Sequence, residues 1–137
     1  MNFEGTYKAV KALKMGDDGF AFEDIEKLIA DADEENKRMY EQMVRSLLIV
    51  GEDSSLKHAM EIPEGTPAEE IEKAKSRGMV VTDDGKYIIT QAEKGKIEDG
   101  ALYMYDASTF LAGTEWVKIS TDVEGELNLV TTLYKRI

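Results

Sequence analysis

A mainly β, antiparallel fold is predicted for this chain of 137 residues by three observations. Both ends are strand-like. Residues 3–8 read Phe-Glu-Gly-Thr-Tyr-Lys and residues 130–137 read Val-Thr-Thr-Leu-Tyr-Lys-Arg-Ile, rich in the β-branched and aromatic side chains that suit a pleated surface. Turn signals recur through the second half at Asp84-Gly85, Asp99-Gly100 and Glu124-Gly125, as in strands joined by short reversals. Helical periodicity is confined to two places. The pattern predicts an up-and-down β-barrel of about eight or nine strands, with a helical insertion after strand 1 and a second short helix near 67–77.

The first strand is expected over 3–13, ending at the turn Gly16-Asp17-Asp18-Gly19. From Phe22, apolar residues recur at Ile25, Leu28, Ile29 and Ala32, a helical stripe, before the polar run 33–38. Met39, Tyr40, Met43, Val44 and Leu47 resume that spacing, giving two short helices or one long helix with a weak apolar middle. Residues 46–50 could finish the helix or open a strand, and β-branched Ile49 and Val50 favour the strand. After a reversal at 51–55, residues 56–62 alternate until Pro63 ends the run. Thr66-Pro67-Ala68-Glu69 then combines an N-cap residue, proline at the first helical position and glutamate three after the cap. Gly78 can close that helix in the left-handed conformation. Strands follow at 79–82, 87–92, 101–105, 116–121 and 126–137.

Composition narrows the function classes. The length suits one domain, 1–137, able to bury its core without staples. No cysteine is present, which removes disulfides, thiolate metal sites and cysteine nucleophiles and favours a cytoplasmic location. No signal-peptide pattern opens the chain. No apolar run reaches bilayer length, so no stable membrane insertion is expected. A net charge of −11 opposes a nucleic-acid backbone or an anionic membrane as partner. Lys73, Lys75 and Arg77 have Glu69, Glu70 and Glu72 beside them, the pattern of a solvated helix face.

Catalytic and metal signatures are weak, and no enzyme, cofactor or metal is assigned. His58 is the only histidine. It lies near Asp53 and Ser55, but no Gly-x-Ser-x-Gly elbow accompanies them. On its strand His58 sides with Leu56 and Met60, as a core or rim histidine would. The acidic run 31–36 lacks the glycine and the final glutamate of a calcium loop. Gly85-Lys86 and Gly95-Lys96 lack the rest of a phosphate loop.

The two ends resemble the calycins. Intracellular fatty-acid-binding proteins open with Phe-x-Gly-Thr-Trp-Lys and close with Thr-Arg-x-Tyr-x-(Lys/Arg)-(Val/Ile). Here Phe3, Gly5, Thr6 and Lys8 match the first pattern, with Tyr7 in place of its tryptophan, and Thr131, Tyr134, Arg136 and Ile137 match the second. The helix near 67–77 departs from that family and points toward the looser bacterial lipocalin-like domains. The resemblance implies a binding barrel whose inserted helices, 22–47, form a lid presenting Met39 and Met43 to a ligand. It implies further that Thr132 and Tyr134 stand where the family's arginine and tyrosine hold a carboxylate, so the bidentate anchor is missing. Trp116 is a further candidate wall residue.

On strand 126–137 the alternation conflicts with that role for Tyr134. Leu127, Leu129, Thr131 and Leu133 share one face, Asn128, Val130, Thr132 and Tyr134 the other, and the leucine face reads as the interior. Two functions follow: binding of a small hydrophobic or amphipathic ligand, or a packed barrel that acts as a protein-interaction module through its acidic surface.

Overall fold

The computed structural model describes residues 2–17, 19–105, 115–129 and 131–137. Asp18, read as part of the first turn, and Val130, read as part of the last strand, lie outside the described residues. The elements are β1 (Gly5–Gly16), β2 (Gly19–Asp24), α1 (Ile25–Asp31), α2 (Glu34–Val44), β3 (Ser46–Val50), β4 (Leu56–Glu61), α3 (Ala68–Ser76), β5 (Val80–Val81), β6 (Tyr87–Glu93), β7 (Gly95–Glu98), β8 (Ala101–Tyr105), β9 (Trp116–Lys118), β10 (Glu126–Asn128) and β11 (Thr132–Arg136). Strands hold 47% of residues against 22% in helices, so the fold is mainly β. Among the described residues no helix is long and apolar enough to cross a membrane.

Every ladder is antiparallel. One sheet runs β10-β11-β1-β3-β4-β6-β5 with β2 also on β1, and a second runs β7-β8-β9. The ladders thus form two sheets, and no closed barrel is detected among the described residues. Among the described residues backbone hydrogen bonds join the two sheets at two places. Lys94 alone separates β6 from β7, and its carbonyl accepts from the Tyr105 N–H at 2.9 Å. Beyond β9, Ile119 and Ser120 both donate backbone N–H to the Leu102 carbonyl, while the Ile119 carbonyl accepts from Asn128 at 2.7 Å and Ser120 bridges Leu127. At the first junction Gly95 is obligatory on steric grounds, since a Cβ there would stand 2.1 Å from the Ser54 carbonyl oxygen.

The core draws on both sheets and on α1. Tyr7, Ala9 and Ala12 of β1 pack with Leu48, Val50, Leu56, Leu102, Ile119, Leu127 and Tyr134, and α1 adds Ile25 and Leu28. Helix α2 buries no residue; Tyr40, Met43 and Val44 rest against this cluster. Its N-terminus is capped by the Asp33 carboxylate, which accepts from the Asn36 N–H at 2.9 Å.

Three local expectations are corrected. Phe22 belongs to β2, not to a helix, because residues 19–24 fold back on β1 over six paired positions from Gly16↔Gly19 to Lys11↔Asp24. That hairpin satisfies the backbone where a short helix would leave terminal groups open. Helix α3 starts one residue later than its capping motif predicts: Pro67 is the N-cap, and the Thr66 hydroxyl donates backward to the Pro63 carbonyl at 2.6 Å. Its C-terminus closes as expected, with Gly78 at φ +89° and the Met79 N–H donating to the Ala74 carbonyl.

Residues 126–137 are not one strand. Leu129 N–H donates to Thr132 O at 2.9 Å and Thr131 N–H to Leu129 O at 2.7 Å, folding the segment into a hairpin. Leu127 now pairs with Tyr134, and Asn128 with Leu133. Paired residues share a face, so Leu127 and Leu133 lie on opposite faces and the leucine stripe does not exist. Tyr134 lies with Leu127 and Ala9 on the core side.

Candidate ligand-binding hollow

Residues on one face of the large sheet can be followed across the strands from the ladder register. Tyr134 pairs with Ala9. On the other edge of β1 the last pair is Lys8↔Leu47, so Ala9 and Ser46 are the next positions along. Ser46 pairs with Met60, Met60 with Ile88, and Ile88 with Val81. The row therefore reads Tyr134, Ala9, Ser46, Met60, Ile88, Val81. Two small side chains stand between a tyrosine and a methionine, and small residues inside a row of large ones leave a hollow.

The hollow is present as a cavity of about 240 Å³ whose wall includes Ser46, His58, Met60, Gln91 and Tyr134. Tyr134 and His58 belong to strands separated by β1 and β3, yet they line one cavity, which requires a strongly curled sheet. Met60 also lines a second, more apolar cavity of about 310 Å³. There Ile88 and Val81 from the sheet face Ile71 and Ala74 of α3. Arg45, Glu61 and Glu70 stand at its rim, and it opens toward a broader surface cleft of about 660 Å³ beside Glu64 and Lys86.

Burial sets the electrostatics of the inner end. Tyr134 is 6% exposed, and loss of water around its phenol pushes its pKa above the ordinary tyrosine value. No hydrogen bond to its hydroxyl is present among the described residues. His58 is half-buried, and desolvation lowers its pKa below 6.5 although Glu93 opposes the shift. Both groups are therefore uncharged at neutral pH and able to donate or accept a hydrogen bond. The rim is crowded with charge: the Arg45 guanidinium donates to the Glu61 carbonyl at 2.8 Å, and the Glu61 carboxylate pairs with Lys8 at 3.6 Å.

Of the residues singled out from sequence, Tyr134 lines the inner cavity, and Thr132 sits two residues away on the same face, half-buried opposite Ala12. Trp116 lies elsewhere. It pairs with Tyr105 on the face of β9 opposite Val117, whose side chain packs the core. The two rings meet edge-on at 5.3 Å, and Lys96 Nζ stands 4.4 Å from the indole centroid. Met39 is 47% exposed and Met43 packs on the core; neither lines these cavities. The helices at the hollow's edge also differ from expectation: α3 supplies Ile71 and Ala74, whereas α1 buries Ile25 and Leu28 as core.

Sequence reasoning missed Ser46, Met60, Gln91 and the α3 residues. The alternation of 56–62 does place His58 and Met60 on one face, but nothing local in the sequence says that Ala9 and Ser46 adjoin across strands. Among the described residues no group of three or more metal-ligating side chains is assembled. No family model, curated protein or solved structure matches the chain.

Proposed function

We propose that the protein is a lipocalin-like β-barrel that binds a small hydrophobic or amphipathic molecule, without catalysis, in the hollow between Tyr134 and α3. The carrying observation is the pair of cavities that share Met60 in their walls, one with apolar walls against α3 and the other presenting the hydrogen-bonding side chains of Ser46, His58, Thr90, Gln91 and Tyr134. Sites for small molecules have this make-up. Barrel closure is supported by the two junctions between the sheets. Continuing β6 through Lys94 into β7, and β9 through Ile119 to β10, links β1, β3, β4, β6/β7, β8, β9, β10 and β11 in a ring. A ring of that size leaves room for one small ligand.

Native mass spectrometry of freshly purified protein tests the reading. Adducts of a few hundred daltons that organic solvent extracts, or uptake of one equivalent of the neutral probe N-phenyl-1-naphthylamine, are expected. A bare chain that takes up no apolar probe at any concentration would count against it.

A further inference from the structure

Tyr134, 6% exposed, and His58 line the same cavity, and among the described residues the Tyr134 hydroxyl makes no hydrogen bond. A hydroxyl that opens into a cavity and has no partner inside the protein can give its hydrogen bond to a ligand without breaking an internal one. Resting on the binding reading above, we infer that the ligand's polar group is an uncharged carbonyl or hydroxyl held by Tyr134 and His58, and that the ligand is not a carboxylate.

Three observations exclude the anion. Among the described residues no lysine or arginine lines this cavity, so a carboxylate beside Tyr134 would be a charge without a counter-ion. Among the described residues the guanidinium that lines the α3 side, Arg45, shares that rim with the carboxylates of Glu61, Glu64 and Glu70 against Lys86, so the rim carries more negative than positive charge. The chain as a whole carries −11, which lowers the local concentration of anionic ligands. A carbonyl, by contrast, needs only a donor, and the Tyr134 hydroxyl is one. A ligand hydroxyl can both accept from Tyr134 and donate to an imidazole nitrogen of His58. The apolar remainder then runs past Met60 toward Ile88, Val81 and Ile71.

Displacement of N-phenyl-1-naphthylamine at pH 8 by 2-decanone, 1-decanol and decanoate tests this. The ketone and alcohol are expected to bind at least about tenfold more tightly than decanoate, the scale of one unsatisfied polar group. Tyr134→Phe, which keeps the ring, should weaken 2-decanone about fivefold to tenfold, with displacement read against the probe affinity measured on the same variant. Decanoate binding as tightly as the ketone, or a ketone affinity indifferent to Tyr134→Phe, would overturn the inference and leave the binding reading standing. Failure of the probe and of all three ligands to bind would overturn both. If Tyr134→Phe does not fold, the wild-type ranking of ketone over carboxylate still decides the question.

Discussion

Arg136 lies directly across the β1–β11 ladder from Tyr7 and clasps it. Its guanidinium carbon stands 5.2 Å from the Tyr7 ring centroid, one Nη donates to the Tyr7 hydroxyl at 2.7 Å, and that hydroxyl donates onward to the Phe3 carbonyl at 2.7 Å. The same guanidinium also donates to the Asn2 carbonyl. One side chain from the last strand thus fixes the ring of the first and the backbone preceding it. Tyr7 is fully buried, so its hydroxyl depends on these partners.

Tyr7→Phe should therefore cost about 1–3 kcal/mol, the penalty for stranding buried hydrogen-bonding groups. Urea unfolding followed by tryptophan fluorescence and by circular dichroism measures it. Arg136→Met, which also removes the cation over the ring, should cost at least as much. The pair should couple in a double-mutant cycle, because the hydroxyl and the guanidinium share one bond.

At the junction of β6 and β7, Gly95→Ala should destabilise by about 1–3 kcal/mol, as overpacking does. The added methyl would meet the Ser54 carbonyl oxygen at 2.1 Å and the Leu56 side chain at 3.1 Å. Gly16→Ala, where the nearest heavy atom is 3.7 Å away, is the control and should stay close to wild type in the same urea titration.

The β10–β11 hairpin predicts different costs for its two leucines. Leu127 is fully buried in the main core, whereas Leu133, 9% exposed, lies on the other face against Lys11 and Asn128. Leu127→Ala should lose about 2–5 kcal/mol and Leu133→Ala clearly less. Equal losses would restore the single leucine stripe that the alternation suggests.

Much of the fold is legible in the sequence where local chemistry decides it. Asp99 at φ +51° and Gly100 at φ +79° make the β7–β8 hairpin turn, and Gly85 at φ +69° serves β5–β6. Gly78 ends α3. The sequence misleads where two local readings compete. Phe22, Ile25 and Leu28 have helical spacing, yet Phe22 pairs with Leu13 because the turn at Gly16 and Gly19 brings the next strand back first. The alternation of 126–137 sets Tyr134 opposite the leucine face, and a two-hydrogen-bond turn at Leu129 and Thr132 resets that alternation. The hollow was illegible for another reason: Ala9, Ser46 and Met60 adjoin only through long-range register.

Protonation of His58 should destabilise the protein. Its folded pKa lies below the ordinary 6.5 because burial disfavours the imidazolium. The unfolded chain then binds the proton more readily, so stability is fully present above the unfolded pKa and falls as pH drops through it toward the folded value. Urea midpoints at pH 7.5 and pH 5.5 should differ by more for wild type than for His58→Gln. An identical pH dependence in the two proteins would show that His58 is not held neutral by burial.

Helix α3 buries none of its residues and meets mainly the two-residue strand β5, whereas α1 anchors Ile25 and Leu28 in the core. Amides of α3 should exchange hydrogen faster than those of α1, and a bound apolar ligand should slow α3 selectively. Equal protection in both helices, unaffected by ligand, would make α3 a fixed wall.

The most direct measurement is methyl NMR on protein carrying ¹³C-labelled methionine, titrated with 2-decanone. Met60 stands where the two cavities meet, while Met39 is exposed and Met43 packs on the core. A ligand in the hollow should shift the Met60 methyl, give intermolecular nuclear Overhauser effects to it, and leave Met39 unmoved. Shifts confined to Met39 and Met43, with Met60 silent at saturating ketone, would place binding on the α1–α2 segment and contradict the account.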